Sequence, residues 1–235
     1  MRALSTSVAL IVLGFGISSA LAAQPTVLVD TCGQAVPPKT AGYLAADLDC
    51  SAYAGQVGIT LGRKATLDLG GFTFTAGSYY GIECVDGRCT IRNGTVTGTA
   101  EWGIVAVDSV IENLTVTTSG LAALSLGGKG TLRALTVTGT AKMGVHGNGS
   151  RKTTTIVDST ITGHQRFGVW TDRIKLVNST VTGNLTDPEC TTGATCADLM
   201  SNRKPKLKSS TCGRSQQLPE NPTPGCLGWC ICSDD

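Results

Sequence analysis

The sequence predicts an all-β protein, a right-handed parallel β-helix of about six to seven coils with disulfide-stapled N- and C-terminal caps. Three observations favour this fold. A threonine triplet recurs at steps of 20 to 24 residues, glycine and β-branched residues dominate the recurring part, and the ten cysteines lie mostly outside it. The period is too short for a crossover helix, so each period is interpreted as one coil of short strands.

The triplets lie between Thr73 and Thr182, and in each of them an apolar or aromatic residue stands between two threonines. They are Thr73-Phe74-Thr75, Thr95-Val96-Thr97, Thr115-Val116-Thr117, Thr136-Val137-Thr138, Thr160-Ile161-Thr162 and Thr180-Val181-Thr182. Alternation along a strand turns the middle residue inward and both threonines outward.

Two further segments complete each coil. One begins at a glycine, as in Gly81-Ile82-Glu83-Cys84, Gly103-Ile104-Val105-Ala106, Gly144-Val145-His146 and Gly168-Val169-Trp170, and it is replaced by 122–126 in one coil. The other is a strand just before the triplet. We therefore expect three inward columns: Ile82, Ile104, Leu124, Val145 and Val169; Ile91, Ile111, Leu132, Ile156 and Leu176; and Val96, Val116, Val137, Ile161 and Val181.

Bends between strands are predicted two residues before the triplets, where Asn93, Asn113 and Asn178 stand. Ala134 and Asp158 occupy this place in the other coils. Asparagine tolerates such a bend and is able to hydrogen-bond to its neighbour one coil away. Arg92, Glu112 and Arg133 are expected to point outward on adjacent coils as a ladder of alternating charge.

The chain divides into four parts. Residues 1–23 have the pattern of a secretory signal peptide, with Arg2, an apolar stretch over 8–17 and a small-x-small cleavage site at 20–22. We assign 24–57 to an N-terminal cap, 58–184 to β-helix repeats and 185–235 to a cysteine-rich C-terminal cap. The protein is therefore predicted to be secreted or periplasmic. No later stretch is apolar enough to span a bilayer.

Ten cysteines in an exported chain predict disulfides rather than a metal site, and neither metal nor cofactor is expected. They are Cys32, Cys50, Cys84, Cys89, Cys190, Cys196, Cys212, Cys226, Cys230 and Cys232. We pair Cys32 with Cys50, because each lacks a nearer partner. Cys84 and Cys89 bracket a tight turn, and Cys190 and Cys196 frame a short loop. The last two pair with Cys212 and Cys226, in an order that the sequence leaves open.

The repeats resemble those of the pectin-lyase-like superfamily of right-handed β-helices. The flanks resemble a group of secreted bacterial β-helix proteins of unknown function, through Thr31-Cys32-Gly33-Gln34, Asp47-Leu48-Asp49-Cys50, Thr66-Leu67-Asp68-Leu69-Gly70-Gly71, Cys196-Ala197-Asp198-Leu199, Lys204-Pro205-Lys206-Leu207 and Trp229-Cys230. The resemblance implies the fold and export. It implies no activity, because this fold hosts lyases, hydrolases, epimerases, adhesins and ice-binding proteins.

The predicted function is that of an exported, non-catalytic binding or structural protein, with a carbohydrate as the preferred ligand. His146 and Trp170 occupy matching outward places on neighbouring coils, where a histidine beside a stacking aromatic ring suits a sugar. The structural interpretation is two ordinary surface residues, since exposed apolar residues standing singly are normal. Polysaccharide is the expected partner, and the net charge of +2 gives no argument for nucleic acid.

Two alternatives stay open. The outward threonines form a regular grid that resembles ice-binding faces, although threonine is also common on exposed strands. The grid comprises Thr95, Thr97, Thr115, Thr117, Thr136, Thr138, Thr160, Thr162, Thr180 and Thr182. A divergent polysaccharide lyase or hydrolase would need converging carboxylates. The candidates, Glu83, Asp86, Glu101, Asp108, Glu112, Asp158 and Asp172, are scattered, so no catalytic residue is predicted.

Overall fold

The computed structural model describes residues 24–84, 86–148, 152–191 and 196–217, and in this part of the chain it is a parallel β-solenoid of about six turns. The all-β fold predicted from the repeats is thus confirmed. The expected signal peptide and Cys226, Cys230 and Cys232 lie outside the described residues.

The described residues form 23 strands and one short 3-10 helix at Pro188–Thr191. In chain order the strands are β1 (Thr26–Leu28), β2 (Gln34–Val36), β3 (Ala41–Tyr43), β4 (Leu48–Cys50), β5 (Val57–Leu61), β6 (Thr66–Asp68), β7 (Thr73–Ala76), β8 (Tyr80–Cys84), β9 (Thr90–Gly98), β10 (Trp102–Val107), β11 (Val110–Thr118), β12 (Ala122–Gly127), β13 (Thr131–Gly139), β14 (Met143–Asn148), β15 (Thr153–Val157), β16 (Thr160–Ile161), β17 (Phe167–Trp170), β18 (Arg173–Val177), β19 (Thr180–Val181), β20 (Ala197–Ser201), β21 (Lys206–Lys208), β22 (Thr211–Cys212) and β23 (Ser215–Gln217).

Two sheets run along the solenoid, and the paired strands in both are parallel. The nine-stranded sheet has the order β2-β5-β8-β10-β12-β14-β17-β20-β23 and contains the glycine-initiated segments. The fourteen-stranded sheet contains the pre-triplet strands and the triplets, which β9, β11 and β13 each carry as one bent strand. Parallel pairing also continues on both sides of 58–184, from β1 with β3 to β20 with β23.

The three predicted aliphatic columns stack in register inside the solenoid. Their members pair coil by coil, and each of the fifteen predicted residues has no exposed surface. The columns extend to Ile59 and Leu199, to Leu67 and Leu207, and to Phe74 and Cys212. Full burial of one such side chain contributes about 1.5–3 kcal/mol, so these columns supply most of the driving force for folding.

Left-handed residues form the predicted bends. Asn93, Asn113, Asp158 and Asn178 have φ values of 60°, 53°, 50° and 49°, and Ala134 has 50°. The side-chain Nδ2 of Asn113 donates to Asn93 Oδ1 at 3.3 Å, and the side-chain Nδ2 of Asn178 donates to Asp158 Oδ1 at 3.1 Å. Asparagine and aspartate tolerate this conformation because their short polar side chains hydrogen-bond locally. The bend therefore repeats in every coil.

Arg92, Glu112 and Arg133 stand in register on adjacent coils, as predicted. The ion pair of this column, however, joins Arg92 Nε to Asp68 Oδ2 on the preceding coil at 2.9 Å. Both side chains are partly exposed, so the pair contributes at most about 1 kcal/mol.

Disulfides join Cys32 to Cys50, Cys84 to Cys89 and Cys190 to Cys196, as predicted. Cys212 is also disulfide-bonded. Within the described ranges, none of the helices has the length and apolar character required to cross a membrane.

Candidate functional site

A second apolar cluster lies on the outer face of the nine-stranded sheet, separate from the core. Its buried members are Ala122, Met143, Phe167, Ala197 and Met200, against which Trp102, Leu121 and Trp170 pack. Two outward columns supply it. They are Tyr80, Trp102, Ala122, Met143, Phe167 and Ala197; and Glu83, Val105, Ser125, His146, Trp170 and Met200. We call these two columns together the ring face.

In most coils a glycine lies between a ring-face residue and a core residue. A Cβ on Gly103 would come within 2.6 Å of the Ala123 carbonyl oxygen on the next coil, and one on Gly144 within 2.6 Å of the Gly168 carbonyl oxygen. A side chain at either of these two positions would force a neighbouring backbone to shift, although Ala123 and Asp198 occupy the same place on β12 and β20. The residue before the glycine faces outward and the residue after it faces the core, so Trp102 and Ile104 lie on opposite sides of the sheet.

Three aromatic rings form the centre of the ring face. The His146 ring lies 5.4 Å from the Trp170 ring, centroid to centroid, at an interplanar angle of 75°. The Trp102 ring lies 5.7 Å from the His146 ring at 49°, and Phe167 contacts Trp170 at 5.0 Å. His146 and Trp170 are neighbours in register on β14 and β17, as the sequence predicts. All three central side chains are half-buried and so retain contact with solvent.

Small side chains on β12 make the contact between Trp102 and His146 possible. Their strands, β10 and β14, are not adjacent, because β12 lies between them. Coils spaced about 4.8 Å apart place these backbones nearly 10 Å apart. On β12 the outward residues are Ala122 and Ser125, and both are buried. The departure of this coil from the glycine pattern thus leaves room in which the indole reaches across.

His146 is a neutral hydrogen-bonding group at the centre of the ring face. Burial lowers the pKa of its imidazole from the usual 6.5, so the ring carries no charge at neutral pH. Its Nδ1 atom is buried and has no hydrogen-bond partner among the described residues. A neutral imidazole offers one donor and one acceptor, which suits a hydroxyl group better than an ion.

Acidic side chains flank the other end of the ring face. Tyr79 meets Tyr80 edge-on at 4.6 Å. The pKa of Tyr80 is raised by burial and by the nearby Tyr79, Glu83 and Glu101, and burial also raises the pKa of Glu83. Glu83 and His146 share one outward column but are three coils apart. That separation is about 14 Å, too far for an acid and a base to act on one bond.

The threonine grid lies on the fourteen-stranded sheet. Thr73, Thr95, Thr115, Thr136, Thr160, Thr180 and Thr211 form one outward column in register. The second column contains Thr75, Thr97, Thr117 and Thr138, and backbone hydrogen bonds continue it through Thr162 and Thr182. Two hydroxyl pairs bond to each other, Thr117 with Thr138 at 3.0 Å and Thr180 with Thr211 at 3.2 Å.

Three of the scattered carboxylates that a catalytic site would need make local hydrogen bonds instead. Asp108 Oδ1 accepts a hydrogen bond from the Lys129 amide at 2.7 Å, and Asp158 accepts one from Asn178. Asp172 accepts one from Asn202. Among the described residues there is no group of three or more histidine, cysteine, aspartate or glutamate side chains that would hold a metal ion.

Trp102 and Phe167 are ring-face residues that sequence reasoning missed. A usable signal was present, because large apolar residues precede the glycines in Tyr80-Gly81, Trp102-Gly103, Met143-Gly144 and Phe167-Gly168. Such a column on the outside of a coil is unusual, since outward strand positions are ordinarily polar.

Comparison of the chain with family models, with curated proteins and with solved structures finds no match. The class of protein therefore follows from the fold and this surface alone. The chain is a parallel β-solenoid with an aromatic outer face and a threonine grid on a second face.

Proposed function

We propose that the protein is an exported, non-catalytic binding protein whose ring face binds a carbohydrate chain. The observation that carries this proposal is the contact of Trp102, His146 and Trp170 on one solvent-facing sheet surface. A sugar ring has an apolar C–H face and a rim of hydroxyl groups. Partly exposed indoles offer the matching apolar platform, and their N–H groups offer donors at its edge.

The polar groups of the ring face suit hydroxyl recognition. The neutral His146 lies between the indoles, and Glu83 and Glu101 lie at the Tyr80 end, where their oxygens would accept hydroxyl hydrogens. From Tyr80 to Phe167 the outward column spans four coil steps, about 19 Å. This length favours several sugar units of a chain over a single monosaccharide.

A glycan array followed by calorimetric titration of the best ligand tests the proposal. We expect Trp102→Ala/Trp170→Ala to abolish measurable binding and His146→Gln, which disturbs packing less, to weaken it about tenfold through one lost hydrogen bond to the ligand. Tyr43→Ala removes an aromatic side chain that is 42% exposed on β3 and serves as the matched control. A silent array, or equal losses in the ring-face and control variants, would refute the proposal.

Export and ancestry belong to the same proposal. Three disulfides favour an oxidising compartment, which agrees with a secreted or periplasmic protein. The left-handed bend column and the stacked coils support a relationship with pectin-lyase-like β-helices. Mass spectrometry of the protein isolated from its host tests export directly, because cleavage after residue 22 or 23 is expected.

Ice binding through the threonine grid is the second candidate, and the unbroken register of seven threonines favours it. Threonines two apart in a strand lie about 6.7 Å apart, and successive coils add about 4.8 Å, so the grid is two-dimensionally regular. A thermal-hysteresis assay decides this function. Thr136→Lys/Thr138→Lys should abolish any activity, whereas Thr131→Lys/Thr155→Lys, on another outward column of the same sheet, should retain it.

The enzyme alternative has the weakest support. Of the three ring-face groups with shifted pKa values, Tyr80 and Glu83 lie on one strand, and His146 lies about 14 Å from Glu83. A lyase and hydrolase assay on the glycans that bind tests it. Turnover that Glu83→Gln abolishes would replace the binding proposal by a catalytic one.

A further inference from the structure

A row of cations follows the corner between the two sheets, where each strand of the nine-stranded sheet turns into the next strand of the fourteen-stranded sheet. Lys39, Lys64 and Arg88 stack on consecutive coils, because the Lys39 amide donates to the Arg63 carbonyl and the Lys64 amide to the Gly87 carbonyl. All three side chains are exposed. We call this corner, from Lys39 to Lys206, the basic corner.

Two grooves continue the row toward the C-terminal end. One, of about 440 Å³, is lined by Arg88, Asp108, Ser109, Val110, Lys129, Thr131 and Lys152. The other, of about 370 Å³, is lined by Thr153, Arg173, Ile174, Lys175, Arg203, Lys204 and Lys206. The grooves are continuous in register, because Thr131 pairs with Thr155 and Thr153 pairs with Arg173.

Cationic side chains outnumber carboxylates along the described part of the basic corner. The described lining of the two grooves has eight cationic side chains and one carboxylate, Asp108, which caps the turn at Lys129. The net charge of +2 therefore hides a strong asymmetry, with cations collected on one edge.

The backbone at this corner is unfavourable for the residues that it carries. Lys39, Lys64 and Arg88 have φ values of 57°, 60° and 66°. A residue other than glycine, asparagine or aspartate costs about 1–2 kcal/mol in the left-handed region of backbone conformation. Like charges on adjacent coils, about 4.8 Å apart, add repulsion. The bend column on the other side of the coil has asparagine or aspartate at most of its own left-handed positions. Stability alone therefore does not explain the cations at this corner.

We propose that the basic corner is a second binding site, for an acidic polysaccharide chain that lies along the solenoid axis. From Lys39 to Lys206 it runs for seven coil steps, about 34 Å, as a single line. A line of charge fits one extended polyanion better than a planar lipid surface. Single-stranded nucleic acid needs aromatic platforms for its bases, and no aromatic residue is among the described residues that line the two grooves.

Heparin serves as the probe, with the mature chain in a titration from about 50 to 200 mM NaCl. The variant Lys64→Asn/Arg88→Asn removes two charges and places in both left-handed positions a residue that tolerates them. We expect about tenfold weaker heparin binding at the lowest salt, and a slope of log Kd against log salt that is smaller by about 1.5. The free energy of unfolding should stay equal or rise.

The matched control is Arg133→Gln/Lys142→Gln, which also removes two positive charges, but from exposed positions away from the corner. It should retain heparin affinity within about twofold. Failure to bind either heparin or dextran sulfate at low salt, or equal losses in both variants, would overturn the proposal. Tighter binding of oligo-dT or of anionic vesicles than of heparin would overturn its assignment to a polysaccharide.

Discussion

The Trp102 and His146 rings lie 5.7 Å apart although a complete coil separates their strands. The contact depends on Ala122 and Ser125, whose side chains are short enough to lie beneath the indole. The contact between these two rings thus depends on the absence of large outward side chains from the intervening strand β12. The same contact helps to exclude water from His146 and so contributes to its lowered pKa.

Removing the Trp102 ring should therefore raise the pKa of His146 toward 6.5, because the imidazole regains solvent. Trp102→Ala is compared with Trp102→Phe, which retains a ring and should shift the pKa less. NMR titration of the imidazole Cε1 protons measures the effect, and assignment is simple because the chain has two histidines. An unchanged pKa in Trp102→Ala would show that the indole does not cover His146.

His164 should make the protein less stable as the pH falls from 6.5 to about 4. Its side chain has no exposed surface, and neither ring nitrogen has a hydrogen-bond partner among the described residues. Burial lowers its pKa to about 4 and outweighs the opposing effect of the nearby Val137 and Ala141 backbones, which approach the ring without forming a hydrogen bond of normal geometry. Below pH 6.5 the unfolded chain binds a proton that the folded chain excludes, so stability is lost by about 3 kcal/mol across this window.

Urea unfolding at several pH values measures this loss, and His164→Leu isolates it from the contribution of the carboxylates. Between pH 6.5 and pH 4, the free energy of unfolding of His164→Leu should change much less than that of the unchanged protein. Leucine at this buried site removes two unsatisfied polar atoms, so the fold should survive the change. Parallel pH profiles for the two proteins would contradict the assigned burial.

Ala134 is the one aliphatic residue in the left-handed bend column, with φ of 50°. Ala134→Asn should increase the free energy of unfolding by about 0.5–1 kcal/mol, because asparagine tolerates this conformation and its side chain joins the ladder of neighbouring amides. Ala134→Val should decrease it by about 1 kcal/mol or more, because a β-branched side chain fits this region poorly. Denaturant unfolding measures both, and a reversed order would mean that the bend is different in this coil.

The disulfides should contribute according to the loops that they close. Cys32 and Cys50 are 18 residues apart and Cys84 and Cys89 are 5 apart. In the chain-entropy model these loops correspond to about 3 and about 2 kcal/mol. Unfolding of the two double Cys→Ala variants tests this order. If the short loop proves the more stabilising, packing of its buried sulfurs outweighs chain entropy.

Most of the fold was predictable because one coil resembles the next. Val116, for example, alternates with threonines at the same place as Val96 and Val137, and alternation alone determines that it faces inward. Asn93 and Asn113 marked the bend because few other residues tolerate it.

The surfaces were harder to predict, because they depend on contacts between coils. Trp102 and His146 belong to different columns, and only the small residues of β12 bring their rings together. His164 follows a glycine in a turn, where exposure is the ordinary expectation, yet neighbouring coils bury it completely. Only one end of the basic corner is visible in the sequence, as the run that contains Arg203, Lys204 and Lys206, because the other lysines and arginines align only after the coils are stacked.

The central claim is that a carbohydrate lies across the indoles of Trp102 and Trp170. NMR observation of the indole N–H signals, assigned with Trp102→Phe and Trp170→Phe, tests it during titration with the best ligand of the glycan array. The account predicts that both signals shift with the same affinity, while the amides of Thr115 and Thr136 on the other sheet stay unchanged. Saturable binding that shifts the threonine amides and leaves both indoles unmoved would contradict it.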